Sequence, residues 1–304
     1  MPAPPVISII IPTYNRPESL WECLEALTRL AYPSNSFEVI VVDDGSPQSL
    51  EKVIDPFSAQ LNIRLFRQEN AGPATARNNG ARHARGTYLA FTDDDCLPAP
   101  DWLNQMAQQL KRTPDRLLGG KTINRLKHNR FSAASQFIVD IVYLHFNPNP
   151  DEARFFASNN MVVPTKIFND IGRFSNGWRT SEDRELCDRW LWNGYKMYFV
   201  EGAVISHSHD LTFFSYCKQH FSYGKGAFHF HRIRNNRQSG TLAQEMKFHT
   251  NLKNWLLAPF ARKEKKPVTL FFLLIVWQVA NLMGFLWAAC FERPIAQKEY
   301  STKP

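Results

Sequence analysis

Three consecutive carboxylates, Asp93-Asp94-Asp95, follow directly on the strand-like run Tyr88 to Thr92. Like charges packed this closely repel and raise one another's pKa, and a divalent cation turns that cost into a binding site. Oxygen ligands of this kind suit Mg²⁺ or Mn²⁺, ions that commonly hold phosphates. A solvated acidic turn is the simpler use of such a tripeptide, so its neighbours decide between the two. Thr13-Tyr14-Asn15 and Asp43-Asp44-Gly45-Ser46 each close an apolar run, Glu182-Asp183 opens an amphipathic stretch, and His207-Ser208-His209 closes a later strand-like segment.

The elements that must position these residues are legible in the apolar pattern. Val6 to Ile11 and Phe37 to Val42 are continuous apolar runs of the kind that form buried parallel strands. Between them, Glu18 to Leu30 spaces Leu20, Trp21, Leu24, Leu27 and Leu30 as a helix does. Ile63 to Phe66 predicts a third strand, Pro73 to Ala84 a helix with proline in its first turn, and Tyr88 to Thr92 a fourth strand. Alternation at crossover lengths predicts an α/β fold with a doubly wound, mostly parallel sheet over the first 110 residues. Such sheets bind ligands beyond the carboxyl ends of their strands, where the Thr13, Asp43-Asp44 and Asp93 to Asp95 clusters all fall. Glycine-rich dinucleotide and P-loop motifs are absent from the sequence. Two short strands, Lys196 to Val200 and Val204 to Ser206, are expected before His207. Thr180 or Ser181 would cap the helix that Glu182 opens, its acids favoured by the dipole.

The ordered set Ile10 to Arg16, Val42 to Ser46, Asn70 to Pro73 with Ala76 to Gly80, Asp93 to Asp95, and Glu182-Asp183 resembles the family 2 glycosyltransferases of GT-A fold. The resemblance covers residues 6 to about 209. It implies transfer of a sugar from a nucleoside diphosphate donor, a UDP-sugar by expectation, to an acceptor hydroxyl with inversion. By similarity, Pro12, Thr13, Tyr14 and Asp44 line the base and ribose pocket, and Arg77, Asp93 and Asp94 lie along the donor. Asp95 binds the Mg²⁺ or Mn²⁺, His207 joins it, and Asp183 is the general base. His209 is a weaker metal candidate, and Ser158-Asn159-Asn160 could touch acceptor or donor sugar. A Q-x-x-R-W signature is missing, so polymer extrusion is not expected. A sugar-phosphate nucleotidyltransferase would need a glycine-rich loop where Pro12 to Arg16 stands, and a catalytically silent membrane-anchored binding protein has no use for the acids.

The net charge of +8 is uneven: residues 211 to 266 carry +9, residues 267 to 304 carry +1, and the first 210 carry −2. This basic segment is interleaved with aromatics, which suits an anionic membrane surface better than nucleic acid, for which no module signature is present. Val268 to Phe291 has no charged side chain and is long enough to cross or embed in a hydrocarbon core of about 30 Å. The expected organisation is a catalytic domain over 1–210 (nucleotide-binding half 1–110, acceptor half 111–210) and a membrane-proximal segment over 211–266. A membrane-spanning or embedded helix over 267–292 and a tail over 293–304 complete it. Gly224 and Gly226 would let part of the basic segment hinge over the donor. Five scattered cysteines and no secretory signal favour a reducing compartment. The expected partners are a nucleotide sugar, a glycan or lipid-linked acceptor and membrane lipids, at the cytoplasmic side of the cell membrane, single-pass or peripheral.

Overall fold

The computed structural model describes residues 7–177 and 180–292; Val6 of the expected first strand and the expected tail lie outside them. Eight strands form one mixed sheet: β1 (Ile7–Thr13), β2 (Phe37–Asp43), β3 (Ile63–Arg67), β4 (Tyr88–Phe91), β5 (Cys96–Pro98), β6 (Leu117–Asn124), β7 (Met161–Pro164) and β8 (Met197–His207). Their order is β3-β2-β1-β4-β7-β6-β8-β5. The strands read from the apolar runs, β1 to β4, pair parallel. β7 then enters antiparallel to β4 and β6, and β6 and β8 pair parallel.

The helices are α1 (Pro17–Thr28), α2 (Glu51–Ile54), α3 (Pro73–His83), α4 (Trp102–Arg112), α5 (Arg130–Phe146) and α6 (Thr165–Asp170). They continue with α7 (Glu182–Trp192), α8 (Phe213–Arg237), α9 (Leu242–Thr250), α10 (Leu252–Trp255), α11 (Ala258–Ala261) and α12 (Pro267–Phe291). Strand side chains alternate between faces. Ile7, Ile9 and Ile11 pack with Leu20, Leu24, Trp102 and Met106 on one face. Ile10, Ile40 and Val42 pack with Ala74, Phe168, Leu186 and Trp190 on the other. A third core joins Phe137, Ile138 and Ile141 of α5 to Tyr216 of α8, Trp255 of α10 and Leu273, Leu274 and Trp277 of α12.

Two local readings of the sequence are corrected. The expected pair of strands before His207 is one strand, β8, because Glu201 and Gly202 are absorbed at a bulge where its register against β6 shifts beyond Gly120. Gly224 and Gly226 do not hinge; both lie inside the continuous helix α8. Gly224 and Gly284 serve a close crossing instead. A Cβ on Gly224 would come within 1.9 Å of the Asn281 carbonyl oxygen, and one on Gly284 within 1.9 Å of the Phe221 carbonyl oxygen. Small residues are what allow two helix backbones to approach this closely.

Helix α12 is long and apolar enough to cross a membrane by length and composition. Leu270, Leu273, Leu274, Trp277, Ala280, Gly284 and Ala288 face the protein, whereas Phe272, Ile275, Val279, Leu282, Leu286 and Trp287 remain exposed. Gly284→Leu should force α12 off α8 and cost about 1–3 kcal/mol or more, lowering the melting temperature of the detergent-solubilised full chain. An unchanged melt would mean that the two helices do not depend on this crossing.

Candidate functional site

The strand ends build the first wall of the site. Thr13 and Asp43 close β1 and β2 in register. Asn15 sits in the left-handed region at φ 52° and donates its backbone N–H to Ser46 Oγ at 2.8 Å. Asp44 is buried and accepts three internal bonds: from Gln68 Nε2 at 2.8 Å, and from the backbone N–H groups of Ala71 and Gly72, both at 2.9 Å. A carboxylate has about four acceptor positions, so Asp44 fastens the loop leading into α3 and keeps one for a ligand.

The three aspartates in the turn between β4 and β5 have three different fates. Asp93 accepts from Arg77 at 2.6 Å. Asp94 is fully buried and accepts from Thr13 Oγ1 at 2.7 Å, with Arg16 3.3 Å from its other oxygen. Burial, with the charges of Asp95 and Asp93, lifts its pKa to about 7 despite Arg16. Asp95 pairs with Arg16 at 2.7 Å and with His207 Nε2 at 3.2 Å. Burial opposes its ionisation, but the His207 hydrogen bond and the charges of His207 and Arg16 hold its pKa well below the usual range. Burial likewise opposes a charged His207, and Asp95 overcomes it. Asp95, Cys96 and His207 offer ligand atoms within 4.8 Å of one another. The carboxylate suits Mg²⁺ or Mn²⁺, and the imidazole favours Mn²⁺ of the two. The Cys96 thiol does not, because burial and the neighbouring aspartates push its pKa well above the ordinary value and keep it protonated.

Asp183 arrives from the far side on α7. The expected helix cap is absent. Ser181 takes the cap position at φ 67° without a side-chain bond, and Thr180 Oγ1 donates to the Ser222 carbonyl at 3.0 Å instead. Gly226 makes this possible: a Cβ there would lie 2.5 Å from Thr180 Oγ1 and 2.6 Å from Ser181 Oγ, so α8 packs directly on the start of α7. Arg77 secures the same point. Its guanidinium, only 3% exposed, donates to Glu182 at 2.9 Å as well as to Asp93. Asp183 itself accepts from the Arg184 N–H at 2.7 Å. It opens onto the interior of the cleft but is enclosed by protein, and that burial, together with the Glu182 charge, lifts its pKa to about 7.

A cavity of about 880 Å³ gathers these walls, with Pro12, Thr13, Tyr14, Asp44, Arg77, Asp93, Asp183 and His207 all on its lining. Asp95 stands behind His207 and Arg16, and Asp94 points inward to Thr13. Ser158 and Asn159 reach the cavity, whereas Asn160 is fully buried and binds Trp102 Nε1 at 2.9 Å and the Ala203 carbonyl at 3.0 Å. His209 stacks on His207 at 4.9 Å.

Residues 8–182 match the family model of Glycosyl transferase family 2. The chain belongs to this family. Glycosyltransferase AglE of Haloferax volcanii is 29% identical over 224 residues, 73% of each protein. Chondroitin synthase of Escherichia coli is 36% identical over 239 residues, which are 66% of this chain but 34% of that enzyme. In fold, the mannosyltransferase PcManGT from Pyrobaculum calidifontis, solved in complex with GDP-Man and Mn²⁺, superposes with a TM-score of 0.71 at 18% identity, over 94% of this chain and 88% of that one. TarS of S. aureus in complex with UDP-GlcNAc gives 0.55 at 16% identity, over 92% and 89%. The sheet and helices are those of a GT-A glycosyltransferase.

In this glycosyltransferase several site residues escaped the sequence reading. Arg16 was visible only as part of a motif, yet it balances Asp94 and Asp95. Glu182 reads as half of an acidic pair, yet it anchors Arg77. Tyr143, His220 and Tyr223 line the cavity from α5 and α8, far from any motif. Arg77→Met leaves Glu182 buried without its countercharge and should cost about 3–5 kcal/mol in denaturant unfolding, with Arg77→Lys intermediate because it retains charge but not the two-pronged contact. Equal stability for all three proteins would remove Arg77 as the tie.

Proposed function

We propose that this glycosyltransferase moves a sugar from a nucleoside diphosphate sugar, a UDP-sugar, to an acceptor hydroxyl with inversion at a membrane surface, in glycan or glycolipid synthesis. The observation that carries this reading is that Asp183 shares one cavity with Thr13, Asp44, Asp93 and His207. In this reading Pro12, Thr13, Tyr14 and the free acceptor position of Asp44 receive the base and ribose, and Arg77 and Asp93 bound the diphosphate. Asp95 and His207 would hold a Mn²⁺ or Mg²⁺, which supplies positive charge to the departing diphosphate. Asp183 takes the proton of the attacking hydroxyl from the opposite wall. A carboxylate titrating near neutrality suits a general base at physiological pH.

The membrane part rests on how α12 is held. It runs beside α8 from the Tyr216 to Leu273 carbonyl bond of 3.0 Å to the His229 to Glu292 contact of 2.7 Å. If α12 crossed a bilayer it would draw α8, with Lys218, Lys225, Arg232, Arg234 and Arg237, into hydrocarbon, at about 2.5–3.5 kcal/mol per charge near the centre. Lying along the interface with its exposed apolar face inserted costs none of this. The bases of 211–266 that are not paired with Glu185, Asp188 or Glu292 then meet an anionic cytoplasmic leaflet. A protease-sensitive tag placed at the carboxyl end should be cleaved from the same side of sealed vesicles as the catalytic domain; protection there would mean that α12 spans.

Sugar transfer into membranes, measured with a panel of nucleotide sugars and Mn²⁺ or Mg²⁺, should fall at least 100-fold in Asp183→Asn and Asp95→Ala. Transfer by the wild type should rise with pH through about 7, as Asp183 loses its proton. The sign for stability is opposite. A raised carboxyl pKa favours the folded state at low pH, and that contribution is lost as pH climbs from the ordinary value of 3.8 to about 7. At pH 8 Asp183→Asn should therefore be more stable than wild type, by an amount on the order of 1–3 kcal/mol. An Asp183→Asn protein that is inactive but no more stable would leave the buried charge unsupported, and one that is fully active would end its role as base.

A further inference from the structure

The cavity does not end at the acids. Beyond Asp183 it continues between α5, α9, α10 and α12, where Val142, Phe146, Met246, Phe248, Trp255 and Trp277 form its walls. Two polar side chains in this lobe are turned on each other: Gln278 Nε2 and His249 Nδ1 lie 3.1 Å apart, and the His249 carbonyl accepts from Trp255 Nε1 at 3.0 Å; Asn281 of α12 also lines the cavity. Walls so rich in aromatic and aliphatic side chains offer an incoming molecule chiefly dispersion and apolar burial. The lobe also reaches Val279, Leu282 and Phe285 of α12, and Val279 and Leu282 belong to the helix's exposed apolar face. One continuous apolar surface thus leads from that face to the carboxylate.

A second observation lies at the polar end. His220 of α8 lines the cavity and is 1% exposed, yet neither ring nitrogen has a hydrogen-bond partner among the described residues. Burial and the nearby His209 lower its pKa to about 3, so it stands as a neutral imidazole with one donor and one acceptor unused. Leaving such a group dry is unfavourable, a penalty that a ligand with hydroxyl or phosphate oxygens removes. Tyr223, whose ring lies 5.6 Å from that of His220, is close enough to feel the charges of Asp183 and Asp93.

The geometry points to an acceptor that is an amphiphile: its polar head lies at His220 and Asp183, and its apolar chain lies in the lobe against Trp255 and Trp277. This rests on the reading of Asp183 as the base and specifies what that base deprotonates, a hydroxyl on a molecule drawn from the lipid phase with its chain still partly embedded. A free, fully hydrated glycan has no use for the lobe. Entry past α12 requires no water-filled route for the chain.

The chain site can be read without knowing the sugar or the head. Dodecyl maltoside with two bromines on its chain, added below its micelle concentration to the full-length protein, should quench tryptophan fluorescence saturably; the unbrominated compound should compete, and methyl maltoside should not. At least half of the saturable quenching should disappear in Trp255→Phe/Trp277→Phe. Met246→Glu, which places a charge at the lobe from an exposed position, should weaken binding tenfold or more and serves if the double variant does not fold. Asp183→Asn should quench as wild type does. Quenching that is unsaturable, or undiminished in the double variant and in Met246→Glu, would place the chain on the outer face of α12 near Trp287 and overturn the proposal. If instead Asp183→Asn transfers sugar normally while quenching behaves as expected, the lobe stands and the assignment of the base falls.

Discussion

Arg77 holds the two halves of the molecule to one another. It rises from α3 and divides its guanidinium between Asp93, at the end of β4, and Glu182, 105 residues further along the chain at the head of α7. Buried charge is tolerated only when it is paired and hydrogen-bonded, so the pairing fixes a distance between two elements that share no strand ladder. Asp183 follows Glu182, and its position opposite the strand-end rim is set by that distance. The burial that makes Arg77 necessary also raises the pKa of Asp183, with Glu182 adding to it. The ion pair therefore sets the geometry, while burial and Glu182 raise the Asp183 pKa against the opposing charge of Arg77.

The same economy governs the three aspartates. A turn directs successive side chains differently, so identical residues come to serve different elements. Asp93 is spent on Arg77, Asp94 on Thr13 and one edge of Arg16, and Asp95 faces both the imidazole of His207 and the guanidinium of Arg16. Asp94 can be kept fully buried because its raised pKa lets it carry a proton near neutrality. The chain thereby avoids three free charges in one place, with Arg16 bridging Asp94 and Asp95.

What was legible in the sequence is what local pattern encodes. Continuous apolar runs gave away the four parallel strands, and the polar residues ending them marked the rim, because strand direction and ligand side are linked in open α/β sheets. The mixed half of the sheet was harder: β8 runs through Glu201 and Gly202, which read as a break, because its bulge is defined by pairing with β6 and not by its own residues. Ser181 carried the sequence signature of a helix cap but does not cap, since the packing of Gly226 and the bond from Thr180 to Ser222 settle that corner. Gly224 and Gly226 suggested flexibility; Gly224 instead lies where the backbone of α12 approaches, and Gly226 lies against the Thr180 and Ser181 hydroxyls. His220 had no signature at all, as only tertiary structure shows a buried imidazole with no hydrogen-bond partner among the described residues.

Helix α8 connects these levels physically. Within one turn and a half it meets α12 through Gly224 and the head of α7 through Gly226, and between them and the cavity it presents His220 and Tyr223. Helices transmit displacement along their length with little compression, because close-packed contacts do not deform continuously. A shift of α12 relative to the domain is consequently a shift of the residues beside Asp183. The apolar helix is thus one wall of the third core, one wall of the cavity, and the neighbour of the helix packed on the head of α7. Parting α12 from α8 at the Gly224 and Gly284 crossing would therefore disturb the third core and the cavity together.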